Sequence, residues 1–177
     1  MTQSPSITKA LGHMIVMPLF LIVLSLVFPQ LSLAMPQIGD RAIFEVIFQS
    51  YDGTFEKYTQ ILEIIDMDEE HVLVSNTLID LNRKTTRNIT EVEHRDSLPT
   101  TQMIQDLLKD CQKNGHQLVS VSIQSEIVPA CFMEDPSRSF ASWYGLVPFG
   151  VVKQVSTDQE GNTVTFILKK YSFGVAP

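Results

Sequence analysis

Val128-Pro129-Ala130-Cys131-Phe132, followed by Trp143-Tyr144-Gly145-Leu146-Val147-Pro148-Phe149-Gly150, is the stretch that decides how this chain folds. With Cys111 a little upstream, it holds both cysteines, the only tryptophan and the densest turn chemistry of the sequence. Pro129 lacks the N–H a sheet ladder needs, which predicts a bend or bulge there. Val147-Pro148-Phe149-Gly150 breaks strand pairing and swings the chain into a further strand, Val151 to Thr157. The region therefore sets where a sheet bends and where a helix rests on it.

That helix is read just before the stretch. Pro99-Thr100-Thr101 can start it and Asn114-Gly115 can end it, while Ile104, Leu107, Leu108 and Cys111 fall at helical spacing. Gln105, Asp106, Lys109 and Lys113 stay on the polar side, and the two lysines suit the negative end of the helix dipole. The pattern predicts one amphipathic helix near residues 100–114, packed on a sheet, with a partner-binding helix as the alternative.

Upstream, Arg41 to Tyr51 places Phe44, Val46 and Phe48 on one face against Ile43, Glu45 and Ile47 on the other, the period of a strand. Asp52-Gly53 marks a hairpin, and Phe55 to Asp66 pairs back. Met67-Asp68-Glu69-Glu70 turns the chain into His71 to Leu78, and Lys84 to His94 is a polar fourth strand suited to a sheet edge. Downstream, Gln117 to Val128 alternates as one strand, and Cys131-Phe132-Met133 continues beyond Pro129. Phe140 to Leu146 is a short aromatic strand, and Thr163 to Phe173 closes the sheet after the loop Asp158-Gln159-Glu160-Gly161. The fold class is mainly β (α+β): a curved antiparallel sheet or half-barrel of about eight to nine strands with one covering helix.

The first 34 residues differ from the rest. Lys9 is their only formally charged side chain, Met14 to Phe28 is an apolar run, and small residues stand at Ser32 and Ala34. This is the pattern of an export signal cut after Ala34, leaving 35–177 as a single β-rich periplasmic domain with no membrane span. An uncleaved N-terminal anchor over Met14 to Ala34 is the alternative. In an oxidising compartment, Cys111 and Cys131 are expected to form a disulfide, since there is no C-x-x-C and no matched histidine pair. Two buried thiols are the other possibility. The net charge of −7, which becomes more negative once Lys9 is removed, repels nucleic-acid backbones and anionic lipid surfaces.

Val128-Pro129-Ala130, the run from Trp143 to Lys153, and Phe166-Ile167-Leu168 with Tyr171 resemble a pattern in exported β-rich bacterial proteins of unknown function. In those a Val-Pro-Ala-Gly-Thr-Phe bend precedes a Trp-containing strand and a Val-Pro-Phe-Gly turn; here Cys131 stands in place of the glycine. The likeness covers about the last third of the chain. Such proteins are similar in outline to the half-barrels that carry lipoproteins through the periplasm. The resemblance implies a binding or assembly role and brings no catalytic residue.

Catalytic and metal signatures are weak. Glu91, Glu93 and Asp96, or Asp66 to Glu70, could hold a cation, but charge runs of this kind are usually solvated faces and no calcium-type loop is present. His71, His94 and His116 lie on separate elements without metal-type spacing. There is no Gly-x-Ser-x-Gly elbow, Cys111 or Cys131 with His116 is better explained by the cross-link, and Asn88-Ile89-Thr90 matters as a glycosylation acceptor only in a eukaryotic secretory route. The expectation is no metal, no cofactor and no enzyme. Phe140, Trp143, Tyr144 and Phe149 are the candidate ligand-binding residues, because neighbours on a strand point to opposite faces and cannot all fill one core, with Trp143 as a plain core anchor the alternative. They predict a non-enzymatic periplasmic binding or carrier module for an apolar ligand, such as a lipid, or for an envelope protein. An envelope adaptor acting through an exposed sheet edge comes second, and a hydrolase third.

Overall fold

A computed structural model describes residues 36–80 and 85–174; the segment 1–34, read from the sequence as an export signal, lies outside the described residues. Nine antiparallel strands form one sheet: β1 (Arg41–Gln49), β2 (Phe55–Met67), β3 (His71–Asp80), β4 (Thr85–His94), β5 (Gln117–Ile123), β6 (Glu126–Asp135), β7 (Phe140–Gly145), β8 (Val151–Thr157) and β9 (Thr163–Ser172). A single α-helix, α1 (Thr101–Asp110), separates β4 from β5.

The order across the sheet is β4-β3-β2-β1-β9-β8-β7-β6-β5. Two meanders thus meet at the centre, where β1 pairs with β9, and β4 and β5 are the edges. The link carrying α1 must pass from one edge to the other. Laid flat, that distance would be about 38 Å at about 4.8 Å per strand, so curling brings the edges within reach. Curling is seen directly in the core: Ala42, Phe44 and Val46 of β1, Val152 and Leu168 share one buried cluster with Ile123, Val128 and Ala130 of the β5–β6 hairpin. The Tyr171 hydroxyl donates to Glu126 at 2.7 Å, holding the tip of that hairpin against β9. Bulges in β1/β9, β2/β3 and β7/β8 add local twist, and among the described residues no ladder joins β4 to β5.

The helix is shorter than its sequence pattern. Thr100 caps it, its hydroxyl accepting from the Met103 N–H at 3.2 Å, and Cys111 ends it, with the chain turning at Gly115. Ile104 is buried, and α1 packs on β6 and β7. Cys111 and Cys131 form a disulfide with their Cα atoms 5.8 Å apart, which ties the end of α1 to β6.

Two sequence expectations need correction. Gln117 to Val128 is a hairpin, β5 and β6, because Gln124 and Ser125 both adopt left-handed backbone at φ 51° and 75°. A two-residue turn of this hand matches the twist of the flanking strands, yet neither residue is the glycine or asparagine that would have flagged it. Pro129 causes no register break: it pairs with Ser120, and its missing N–H falls past the end of the β6–β7 ladder, which starts at Ala130.

The segments flanking the two central strands are joined by a buried carboxylate. Asp40 accepts from the Gln37 N–H at 3.0 Å and the Gly174 N–H at 2.9 Å, and the Gln37 side chain donates to the Gly174 carbonyl at 2.8 Å. Burial raises the pKa of Asp40, and these hydrogen bonds oppose the rise.

Candidate functional site

The loop between β7 and β8 organises the inner surface. Gly145 donates its N–H to the Gly150 carbonyl at 2.9 Å, and Gly150 donates to Val147 at 2.9 Å, so residues 145–150 form a tight closed turn. Val147 and Pro148 are buried beneath it. Phe149 has φ 64° and Gly150 φ 72°. For Gly150 the reason is also steric: a Cβ there would stand 2.8 Å from Pro99 Cγ and 3.0 Å from Ile104 Cδ1. The start of α1 therefore presses on this turn and holds it in place.

Held this way, the half-buried Phe149 packs against two separate clusters. One is the main core; the other is Ile64, Val72 and Val74, with Leu98 beside them. In the sheet, β2 and β3 lie on the far side of β1 and β9 from β8, so the ring bridges the inner face from one half to the other. Next to it is a groove of about 180 Å³ lined by Phe44, Gln60, Leu62, Phe149, Val151, Gln154 and Phe166. Its walls are apolar, with two amides among them. Gln60 donates to Asn76 at 3.0 Å, and Asn76 reaches Glu91 at 3.5 Å, so a polar line runs from the groove across β3 to the β4 edge.

The four aromatics do not gather in one place. Phe149 lines the groove. Phe140 and Tyr144 line a different hollow of about 330 Å³ with Met133, Glu134, Asp135 and Arg138, where Arg138 pairs with Asp135 at 3.4 Å. Trp143 lines neither: its ring packs on Phe132 at 4.6 Å between centroids, Lys153 Nζ sits 4.6 Å from its centre, and it lies against the main core. Trp143 and Tyr144 are consecutive in β7, so strand alternation turns them to opposite faces, while the bulge at this point places its extra residue, Val152, in β8.

Phe44, Leu62 and Phe166 occupy strand-face positions, but the sequence did not show them lining one groove, since the β1–β2 and β8–β9 hairpins are set side by side only by the long-range pairing of β1 with β9. Gln60 carried a signal, being a polar residue between the inward positions Tyr58 and Leu62. The sequence also hid a cross-strand meeting of His71 and His94, whose ring centroids are 5.0 Å apart, with Asp68 at 3.6 Å from His71. Among the described residues no group of three or more His, Cys, Asp or Glu is gathered to hold a metal ion, and no helix is long and apolar enough to cross a membrane.

No protein-family model and no curated protein matches the chain. Solved structures are similar at a distance, among them the following three. The Pseudomonas aeruginosa MucA/MucB complex matches at 15% identity and TM-score 0.39, covering 78% of this chain and 53% of that one. This chain thus spans about half the length of that structure. A LolA superfamily protein from Nitrosomonas europaea matches at 10% identity and TM-score 0.33, covering 82% and 90% of the two chains. A Vibrio parahaemolyticus domain described as an outer membrane lipoprotein-sorting protein matches at 7% and 0.27, covering 79% and 87%. At these scores the likeness assigns no activity.

Proposed function

We propose that this chain is a non-enzymatic binding or carrier module working in the periplasm, where the segment 1–34 would direct it, and that it holds an apolar ligand in the groove beneath Phe149. The observation that carries the proposal is the lining of that groove: four strands and one strained turn contribute aromatic and aliphatic side chains, with only Gln60 and Gln154 to orient a polar end. At about 180 Å³ it is smaller than the roughly 300–1,000 Å³ of sites that enclose a whole small molecule. It therefore suits one acyl or isoprenoid segment, with the rest of the ligand leaving through the open side. Of the four aromatics, Phe149 would contact ligand and Trp143 would anchor the core. Phe140 and Tyr144 border a hollow whose charged rim is a poorer home for a hydrocarbon.

Native mass spectrometry of the exported protein purified from its own host tests this. The expected result is a retained lipid-like mass that the apolar probe N-phenyl-1-naphthylamine displaces in a saturable manner. A bare protein mass together with no saturable probe binding would remove the proposal.

A further inference from the structure

Strand β4 is a ten-residue edge. Its ladder with β3 runs without a register shift from His71↔His94 to Asp80↔Thr85. It carries no proline and no lysine, and no described strand lies beyond it. Residues 86–88 are exposed and so are Thr90 and Val92. A long edge with no bulge and no proline can template another strand, and its charges then decide which strand is accepted. The opposite edge, β5, is shorter, and its turn is folded against β9 through Tyr171 and Glu126.

The charges along β4 name the occupant. Arg87, Ile89 and Glu91 lie on one face by alternation, with Arg87 and Glu91 two residues to either side of Ile89. Among the described residues Arg87 makes no ion pair, and Glu91 has only the 3.5 Å contact from Asn76. An antiparallel copy of the same strand with Ile89 on the two-fold axis sets Arg87 of each chain opposite Glu91 of the other, twice, and Ile89 opposite Ile89. On the other face Thr86 meets Val92 and Asn88 meets Thr90. Both charged pairs are complementary, and opposite charges placed directly across a ladder favour pairing.

We infer that β4 is the seam of a two-fold symmetric homodimer in which the two sheets join through β4–β4 pairing, with Arg87 across from Glu91. This inference is independent of the ligand groove. The symmetry is closed, since each copy spends the same edge on the other and no chain-to-chain polymer follows. With one strand per partner the buried surface is at the small end for specific complexes, so the dissociation constant is on the order of 100 µM.

Sedimentation equilibrium on the exported protein, from low micromolar to about 1 mM, tests the seam. Wild type is expected to move from monomer to dimer. Arg87→Glu or Glu91→Arg alone places like charges across the axis twice and is expected to weaken the dimer about tenfold or more. The double variant Arg87→Glu/Glu91→Arg is expected to restore it. Rescue cannot come from within one chain, because the two side chains are four residues apart on an extended strand, about 13 Å. Circular dichroism of each variant separates lost pairing from lost fold. A wild-type protein that stays monomeric throughout, an open-ended polymer, or a folded double variant no better than the singles would each overturn the inference.

Discussion

Replacing Phe149 with alanine and, separately, with glycine separates its two roles. Truncating a fully buried phenylalanine to alanine costs about 3–5 kcal/mol; Phe149 is only half-buried, so about 2 kcal/mol is expected for Phe149→Ala. Alanine keeps the penalty of a side chain at φ 64°, about 1–2 kcal/mol, which glycine escapes. Glycine loses part of this advantage, about 0.4–1 kcal/mol, through its freer unfolded chain. Phe149→Gly should therefore be the more stable of the two by about 0.5–1 kcal/mol, the reverse of the usual order of alanine and glycine. Urea unfolding followed by the fluorescence of Trp143, the only tryptophan, measures both. Both variants remove a ring that lines the groove and should bind N-phenyl-1-naphthylamine more weakly than wild type. If glycine proves the less stable, the turn is not held in the left-handed region. If neither variant changes probe binding, Phe149 does not border the site.

Two further outcomes follow from the cross-links of the fold. Opening the disulfide, by reductant or by replacing both cysteines with alanine, frees a loop with a sequence separation of 20. It should cost about 3 kcal/mol, lowering the melting midpoint by about 10 °C in calorimetry; an unchanged midpoint would mean that α1 holds its place without the bond. Tyr171 should ionise at about 12, since burial and then the carboxylate of Glu126 favour its neutral form. The phenol gains its partner in the fold, so that stabilisation is complete below the ordinary tyrosine range near 10 and fades as pH rises toward 12. Ultraviolet titration should show this late step in wild type and lose it in Tyr171→Phe; a step still present in the variant would assign it elsewhere.

Local chemistry made most elements legible in the sequence. Alternation located all the strands but for one turn, and Val151 to Thr157 has the bounds of β8 as read. The cap at Thr100 and the apolar stripe through Ile104 marked the helix, and export logic paired the cysteines. What was hidden depends on distance along the chain or on backbone hand. The hairpin at Gln124-Ser125 was missed because both residues tolerate φ > 0 with no compositional sign of it. The separation of Phe140, Trp143, Tyr144 and Phe149 was half visible, since strand neighbours diverge. That Phe149 would meet Ile64 and Val74, far earlier in the chain, followed only from a sheet order in which β1 lies beside β9.

That central seam has a kinetic consequence. Synthesis delivers β1 first and β9 last, so the middle of the sheet stays unzipped, with unpaired strand edges bare on two half-sheets, until the final strand emerges. Contacts of such sequence separation form slowly and leave intermediates prone to clump. Any truncation before Thr163 would thus leave two halves with nothing to button them together.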